Sequence, residues 1–197
     1  MPKPGLKGRV GLAVAAACLA AAAAPSLAAD EGWRVSQGCA GCHGTDGAAP
    51  GATIPILGGQ AGTYLAESMR AYQRGERDYY VMNIIAQAFD DAQIDAIGAW
   101  FEDRPWISTP VPHDAVKASD GKVLADGLCA TCHGADGRGT GAGPRIAGQP
   151  AAYLSLALHA YKDGARNSAS ARVAKTLLDD LSDEQIEAMS NYYAGLR

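Results

Sequence analysis

Two stretches decide the fold: Cys39-Ala40-Gly41-Cys42-His43 and, 90 residues later, Cys129-Ala130-Thr131-Cys132-His133. Each reads C-x-x-C-H, the pattern that attaches a c-type haem. On one helical turn residues i and i+3 share a face, so both sulfurs of a pair can reach the vinyl groups on one porphyrin edge as thioethers. The adjoining histidine then offers a ring nitrogen to the iron as proximal ligand. The expected anchors are Cys39, Cys42, Cys129 and Cys132, and the expected proximal ligands are His43 and His133. Two structural disulfides would explain the pairs, but not the histidine that follows each. A four-cysteine zinc site would need the pairs to converge and would leave both histidines idle.

Outward from the motifs the chain repeats itself. Gly44-Thr45-Asp46-Gly47 matches Gly134-Ala135-Asp136-Gly137, and Pro55-Ile56-Leu57-Gly58-Gly59-Gln60 matches Pro144-Arg145-Ile146-Ala147-Gly148-Gln149. Tyr64-Leu65 matches Tyr153-Leu154, and Ala71-Tyr72 with Gly75 and Arg77 matches Ala160-Tyr161 with Gly164 and Arg166. This is a duplication, with domains expected at residues 30–103 and 118–197. The connector, 104–117, holds Pro105, Pro110 and Pro112, which favour an extended, semi-rigid chain. Each half is so small that burial alone is marginal, and a covalently held apolar macrocycle completes its core.

The periodicity is helical throughout, so the expected fold class is all-α. A first helix delivers each cysteine pair, from about Glu31 in one half and from an Asp120 cap in the other. A second covers about Tyr64 to Arg74 and about Ala152 to Asp163, stopped by Gly75 and Gly164. The last helices begin at Asp90 and Ser182, where Gln93 and Gln185 three residues on make a capping box. The glycine-rich segments between read as loops around the haem edge, since no Walker lysine follows them.

The whole sequence has 197 residues, 48% hydrophobic and 19% charged, with 24 glycines and only 7% aromatic residues: globular, with a lean core. Its first 29 residues read as a cleaved export signal. Lys3, Lys7 and Arg9 precede an apolar run from Val10 to Ala24, and Ser26-Leu27-Ala28 suggests cleavage after Ala28 or Ala29. Two alternatives stay open: retention as an anchor, although the run is short for a span, and lipid attachment at Cys18, although Ala15 stands where leucine is expected. Removing three basic residues takes the formal charge from −4 to −7. No basic stripe remains to neutralise phosphates, so nucleic acid is excluded as a partner. Export also favours haem attachment, because haem c is joined outside the bacterial cytoplasm.

With these residues in view the mature chain resembles a dihaem class I cytochrome c of the cytochrome c4 family over nearly its whole length. The resemblance rests on both C-x-x-C-H motifs, both Pro…Gly-Gln-x-x-x-Tyr-Leu segments, both Tyr-x-x-Gly-x-Arg helix ends and Leu181-Ser182-Asp183-Glu184-Gln185-Ile186. It implies two class I cytochrome c domains in tandem, joined head to head around two covalent haem c groups. It also implies that the Pro55 carbonyl holds His43 and the Pro144 carbonyl holds His133, which orients each ring and raises its basicity. Met82 matches the family's distal methionine, and a soft thioether there favours ferrous iron; the other reading of Met82 is core packing. Met69, whose counterpart is Leu158, reads as core.

The second half departs from the pattern. Counting from Leu181 reaches Ala174, counting from Gly164 reaches Ala171, and neither is methionine. Met189 reads as core. His159, Lys175, the connector's His113 and an open sixth position remain as alternatives. The expectation is a periplasmic single-electron carrier rather than an enzyme. Its partners would be redox proteins: a respiratory or dehydrogenase donor and a terminal oxidase or similar acceptor, with docking to a membrane complex. Two rivals stand beside it: an electron-accepting subunit of a dehydrogenase acting on sulfur compounds, and a ligand-binding or peroxidase-like protein using the second haem. Residues 30–110 carry 5 basic and 11 acidic side chains against 9 and 10 in 111–197, so the first half is expected to face a basic partner.

Overall fold

Each half repeats one order of elements in the computed structural model, which describes Met1, residues 31–108 and residues 113–196. In the first half helical residues 31–36 pass through a 3-10 turn, Gln37–Cys39, into α1 (Ala40–His43). Then come α2 (Gly62–Gln73), α3 (Tyr80–Ala86) and α4 (Asp91–Glu102). The second half has α5 (Ala115–Leu128), α6 (Ala130–His133), α7 (Ala151–Lys162), α8 (Ala169–Leu178) and α9 (Asp183–Gly195). Among the described residues there is no strand, and one of the two isolated bridges, Arg77 with Arg166, joins the halves. The expected export signal, with Lys3, Lys7, Arg9, Cys18 and its cleavage point, lies outside the described residues, as do Thr109, Pro110, Val111 and Pro112 of the connector. No described helix is long and apolar enough to cross a membrane.

The first and last helices of each half cross at a glycine. A Cβ on Gly121 would lie 2.1 Å from the Ala188 carbonyl oxygen, and one on Gly32 2.8 Å from that of Ala96, so the backbones meet only because no side chain intervenes. The loop after each motif folds against the same last helix. There Gly47 and Gly137 take φ of 75° and 67°, and a Cβ on Gly137 would sit 2.9 Å from the Tyr193 ring.

Both predicted capping boxes are present: the Asp90 and Ser182 side chains accept from Gln93 and Gln185 backbone N–H groups, and the glutamines reach back. The cap of α5 differs from expectation. It is Asp114, which accepts from the Val116 and Lys117 N–H groups while its own N–H donates to Asn191 at 2.6 Å. Asp120 is therefore inside the helix, whose start reaches into the expected connector. The helices α3 and α8 add to the expected set. Tyr80, Val81, Ile84 and Ile85 of α3 are exposed, so its sequence carries no clean amphipathic stripe.

The core comes in matching pieces. Ala66, Met69, Tyr72, Ala86 and Ile94 form one cluster, with Met82 and Phe89 against it. Leu178, Leu181, Ile186 and Met189 form its counterpart, with Leu124, Leu128, Cys129, Leu158 and Tyr161 against it. Cys39 borders Leu65, Ile97 and Phe101, as Cys129 borders Ala125, Leu154 and Tyr193, so each first cysteine stands at the edge of its core.

Candidate functional site

Each C-x-x-C-H sequence closes on a single helical turn ended by a glycine with positive φ, Gly44 at 76° and Gly134 at 81°. The turn leaves Cys42 exposed and Cys39, Cys129 and Cys132 half-buried; none of the four is in a disulfide. Burial pushes the Cys39 and Cys129 thiols up. Among the described residues no three His, Cys, Asp or Glu side chains gather into a metal cage, so the two pairs do not converge on one ion.

The histidines are oriented alike. His43 Nδ1 lies 3.0 Å from the Pro55 carbonyl oxygen, and His133 Nδ1 lies 2.7 Å from that of Pro144. A carbonyl only accepts, so Nδ1 carries the proton and the Nε2 lone pair is free for a metal. Burial lowers both imidazole pKa values against the opposing pull of the proline carbonyls, which keeps the rings neutral near pH 7.

The two sites are tied together by exchanged glutamines. Gln149 of the second half accepts from the Ile56 N–H and donates to the Ile56 carbonyl, both at 2.9 Å. Gln60 of the first half does the same to Arg145, also at 2.9 Å for both bonds. Ile56 follows Pro55 and Arg145 follows Pro144, so each glutamine grips the peptide next to the other half's histidine acceptor. Around the Arg77–Arg166 bridge, Asp78 N–H donates to the Ala165 carbonyl and Asn167 N–H to that of Glu76, both at 2.7 Å.

Arg77 and Arg166 are each only 8% exposed and stack on Tyr72 and Tyr161. Among the described residues neither forms an ion pair with a carboxylate, and the buried Nε of Arg77 has no acceptor. Burial raises Tyr153, yet the two guanidiniums outweigh it and hold that hydroxyl below the ordinary tyrosine range; Arg77 Nη2 donates to it at 3.2 Å. Two buried cations without a carboxylate call for an anion. The carboxylates of a haem fit that demand, and the buried indole N–H groups of Trp100 and Trp106, also without acceptors, are further donors.

The distal side differs between halves. Met82, half-buried on α3, packs against the first-half cluster. In the second half the Arg77–Arg166 bridge fixes Ala171 as the residue equivalent to Met82, whereas the matched boxes at Asp90 and Ser182 fix Ala174. Ala171 is 3% exposed. His159 makes surface contacts instead: Nδ1 lies 2.8 Å from the Ser155 carbonyl and Nε2 lies 3.4 Å from Asp183. Arg70 ties α2 to Asp91 in the same way. Lys175 Nζ donates to the Lys162 carbonyl at 2.7 Å and to Asp179 at 2.6 Å. His113 is exposed beside Gly195, and Met189, 1% exposed, belongs to the core.

Sequence pattern alone gives Gln60, Gln149, Arg77 and Arg166 no role. The signal was there: all four sit in the matched segments, where an uncharged core explains neither a glutamine nor an arginine.

The second half, residues 118–196, matches the family model for cytochrome c. Cytochrome c4 of Azotobacter vinelandii is 31% identical over 177 residues, which cover 80% of this chain and 84% of that protein. The chain belongs to the cytochrome c4 family. The crystal structure of reduced recombinant cytochrome c4 from Pseudomonas stutzeri superposes with a TM-score of 0.78 at 26% identity, covering 86% of this chain and 98% of that one. A protein called thiosulfate dehydrogenase electron acceptor, from Thiomonas intermedia strain K12, is 31% identical over 167 residues, 79% of this chain and 77% of its own. As a member of the c4 family the chain is an all-α dihaem class I cytochrome c that carries two covalent haem c groups and transfers electrons with redox partners.

Proposed function

We propose that this cytochrome is exported to the periplasm and carries single electrons between a dehydrogenase or respiratory donor and a terminal oxidase or similar acceptor. Cys39 and Cys42 anchor the first haem with His43 proximal and Met82 distal; Cys129 and Cys132 anchor the second with His133 proximal. When bound, each haem supplies a one-electron ferric/ferrous couple. The chain does the rest. Pro55 and Pro144 hold the imidazole Nδ1 protons, which fixes the rings and raises the basicity of Nε2. Arg77 and Arg166 hold carboxylates at the junction, and the exchanged glutamines keep the two sites at one separation, so little rearranges when charge moves.

The observation that carries this reading is the pairing of each motif histidine with a proline carbonyl in both halves. Mass analysis of the mature protein is expected to show two added macrocycles and loss of the first 28 or 29 residues, and reductive titration to take up two electrons per chain. One macrocycle, or a retained N-terminus, overturns the corresponding part.

The likeness to the Thiomonas protein favours thiosulfate dehydrogenase as a specific donor. Addition of thiosulfate and such an enzyme is then expected to reduce both haems, and a failure to do so leaves the general carrier without that donor. The acidic first half docks a basic partner, so raising salt slows the reaction. A rate indifferent to ionic strength contradicts that docking mode.

A further inference from the structure

We infer that the second haem site takes a small uncharged diatomic ligand on its distal side, because among the described residues no side-chain donor stands at the place that Met82 holds in the first half. This rests on haem attachment at Cys129, Cys132 and His133 as proposed above. The window between the two ways of matching the halves is Ala171, Arg172, Val173 and Ala174. Ala171 is buried but has no donor atom; Arg172 donates outward to the Asn167 carbonyl at 2.8 Å, and Val173 is 62% exposed. In the first half Met82 joins the cluster of Tyr72, Met69 and Ala86. In the equivalent cluster of Tyr161, Leu158 and Leu178 no residue of the window takes part. His159 and Lys175 are held by the surface and backbone contacts already described. The neighbouring side chains, Leu158, Leu178 and Met189, are apolar and favour a neutral ligand over an anion.

The test is a carbon monoxide titration of the reduced full dihaem protein, after mass analysis has verified two haems; a wrong haem count defeats the haem attachment on which this inference rests, whereas the titration tests the distal side alone. One equivalent bound per chain is expected, with a methionine-to-iron charge-transfer band of one-haem strength in the oxidised form. No binding, or a band of two-haem strength, overturns the proposal. Ala171→Met or Ala174→Met is expected to add a second band and weaken carbon monoxide about tenfold or more; no effect in either variant overturns the assigned window. His159→Ala, Lys175→Ala and Met189→Leu should leave the wild-type stoichiometry. Uptake of one equivalent by any of them, where the wild type takes up none, identifies that residue as the ligand and refutes the inference.

A different observation carries a second proposal: Gln149 and Gln60 are positioning residues, each setting the proximal histidine of the opposite half. The geometry points to this because Gln149 holds both backbone groups of Ile56, one residue from the His43 acceptor, and Gln60 holds those of Arg145, one residue from the His133 acceptor. Loosening the peptide weakens the Nδ1–H bond, makes Nε2 less basic and stabilises ferric iron less. Gln149→Ala is therefore expected to raise the potential of the first haem and leave the second unchanged, and Gln60→Ala to do the reverse. Paramagnetic proton shifts assign each haem and should move with the potential. A change confined to the haem of the mutated half, or equal at both, overturns the crossed assignment, since loss of packing at a junction where each glutamine touches both halves has no reason to single out the opposite haem.

Discussion

Between Arg77 and Asp90 the first half uses α3, seven residues long; between Arg166 and Ser182 the second uses α8, ten residues long. The shorter helix brings a thioether to the core and leaves Tyr80, Val81, Ile84 and Ile85 in solvent. The longer one turns Ala171 and Leu178 inward and sets Arg172, Lys175 and Thr176 around Val173 and Leu177. On the other side of the same sites nothing comparable has changed: the motif, the proline acceptor, the arginine and the glutamine occur twice in the same relation. Duplication kept the side that anchors and orients the cofactor and released the side that decides what reaches the iron.

That contrast can be broken most severely at the anchors. Cys129→Ala with Cys132→Ala is expected to remove one macrocycle by mass and to unfold residues 118–197, seen as loss of about half the helical ellipticity, because a domain this small lacks core without it. Met82→Leu is expected to abolish the methionine-to-iron band entirely and raise carbon monoxide uptake from one equivalent to two, making the halves alike. Gly121→Ala forces apart two backbones that Gly32→Ala disturbs less, so the second half should lose stability by about 3 kcal/mol or more and the first by less, as followed by denaturant unfolding. Gln149→Ala leaves two buried backbone groups of Ile56 unpaired and should destabilise by about 2 kcal/mol, more than Gln60→Ala, whose partner Arg145 is less buried. The smallest difference is at the caps, where Asp90→Ala and Ser182→Ala should each lower stability by about 1 kcal/mol and leave both spectra untouched.

What could be read from the sequence follows the same division. Motifs with a fixed chemical spacing were legible, because thioether geometry allows few alternatives. The capping boxes were legible too, because their hydrogen bonds are local. The start of α5 was not: Asp114 and Asp120 are both good caps, and the choice depends on Asn191, 77 residues away. The helix α3 was not legible because its exposed apolar residues obscure the amphipathic pattern, whereas α8, with Ala171 and Leu178 inward, is amphipathic and its signal was present in the sequence. The buried arginines and glutamines stood out as repeated residues, but their partners lie across the junction and no local pattern reveals them.

None of the four bonds that Gln60 and Gln149 make across the junction involves α3 or α8. A change to either helix therefore leaves these four bonds standing, although Asn83 of α3 and Arg172 of α8 each bond a residue in or beside the Arg77–Arg166 bridge. One copy of the ancestral unit could thus be retuned, lengthened or stripped of a ligand while the other went on doing the original job, with the crossed glutamines still in place.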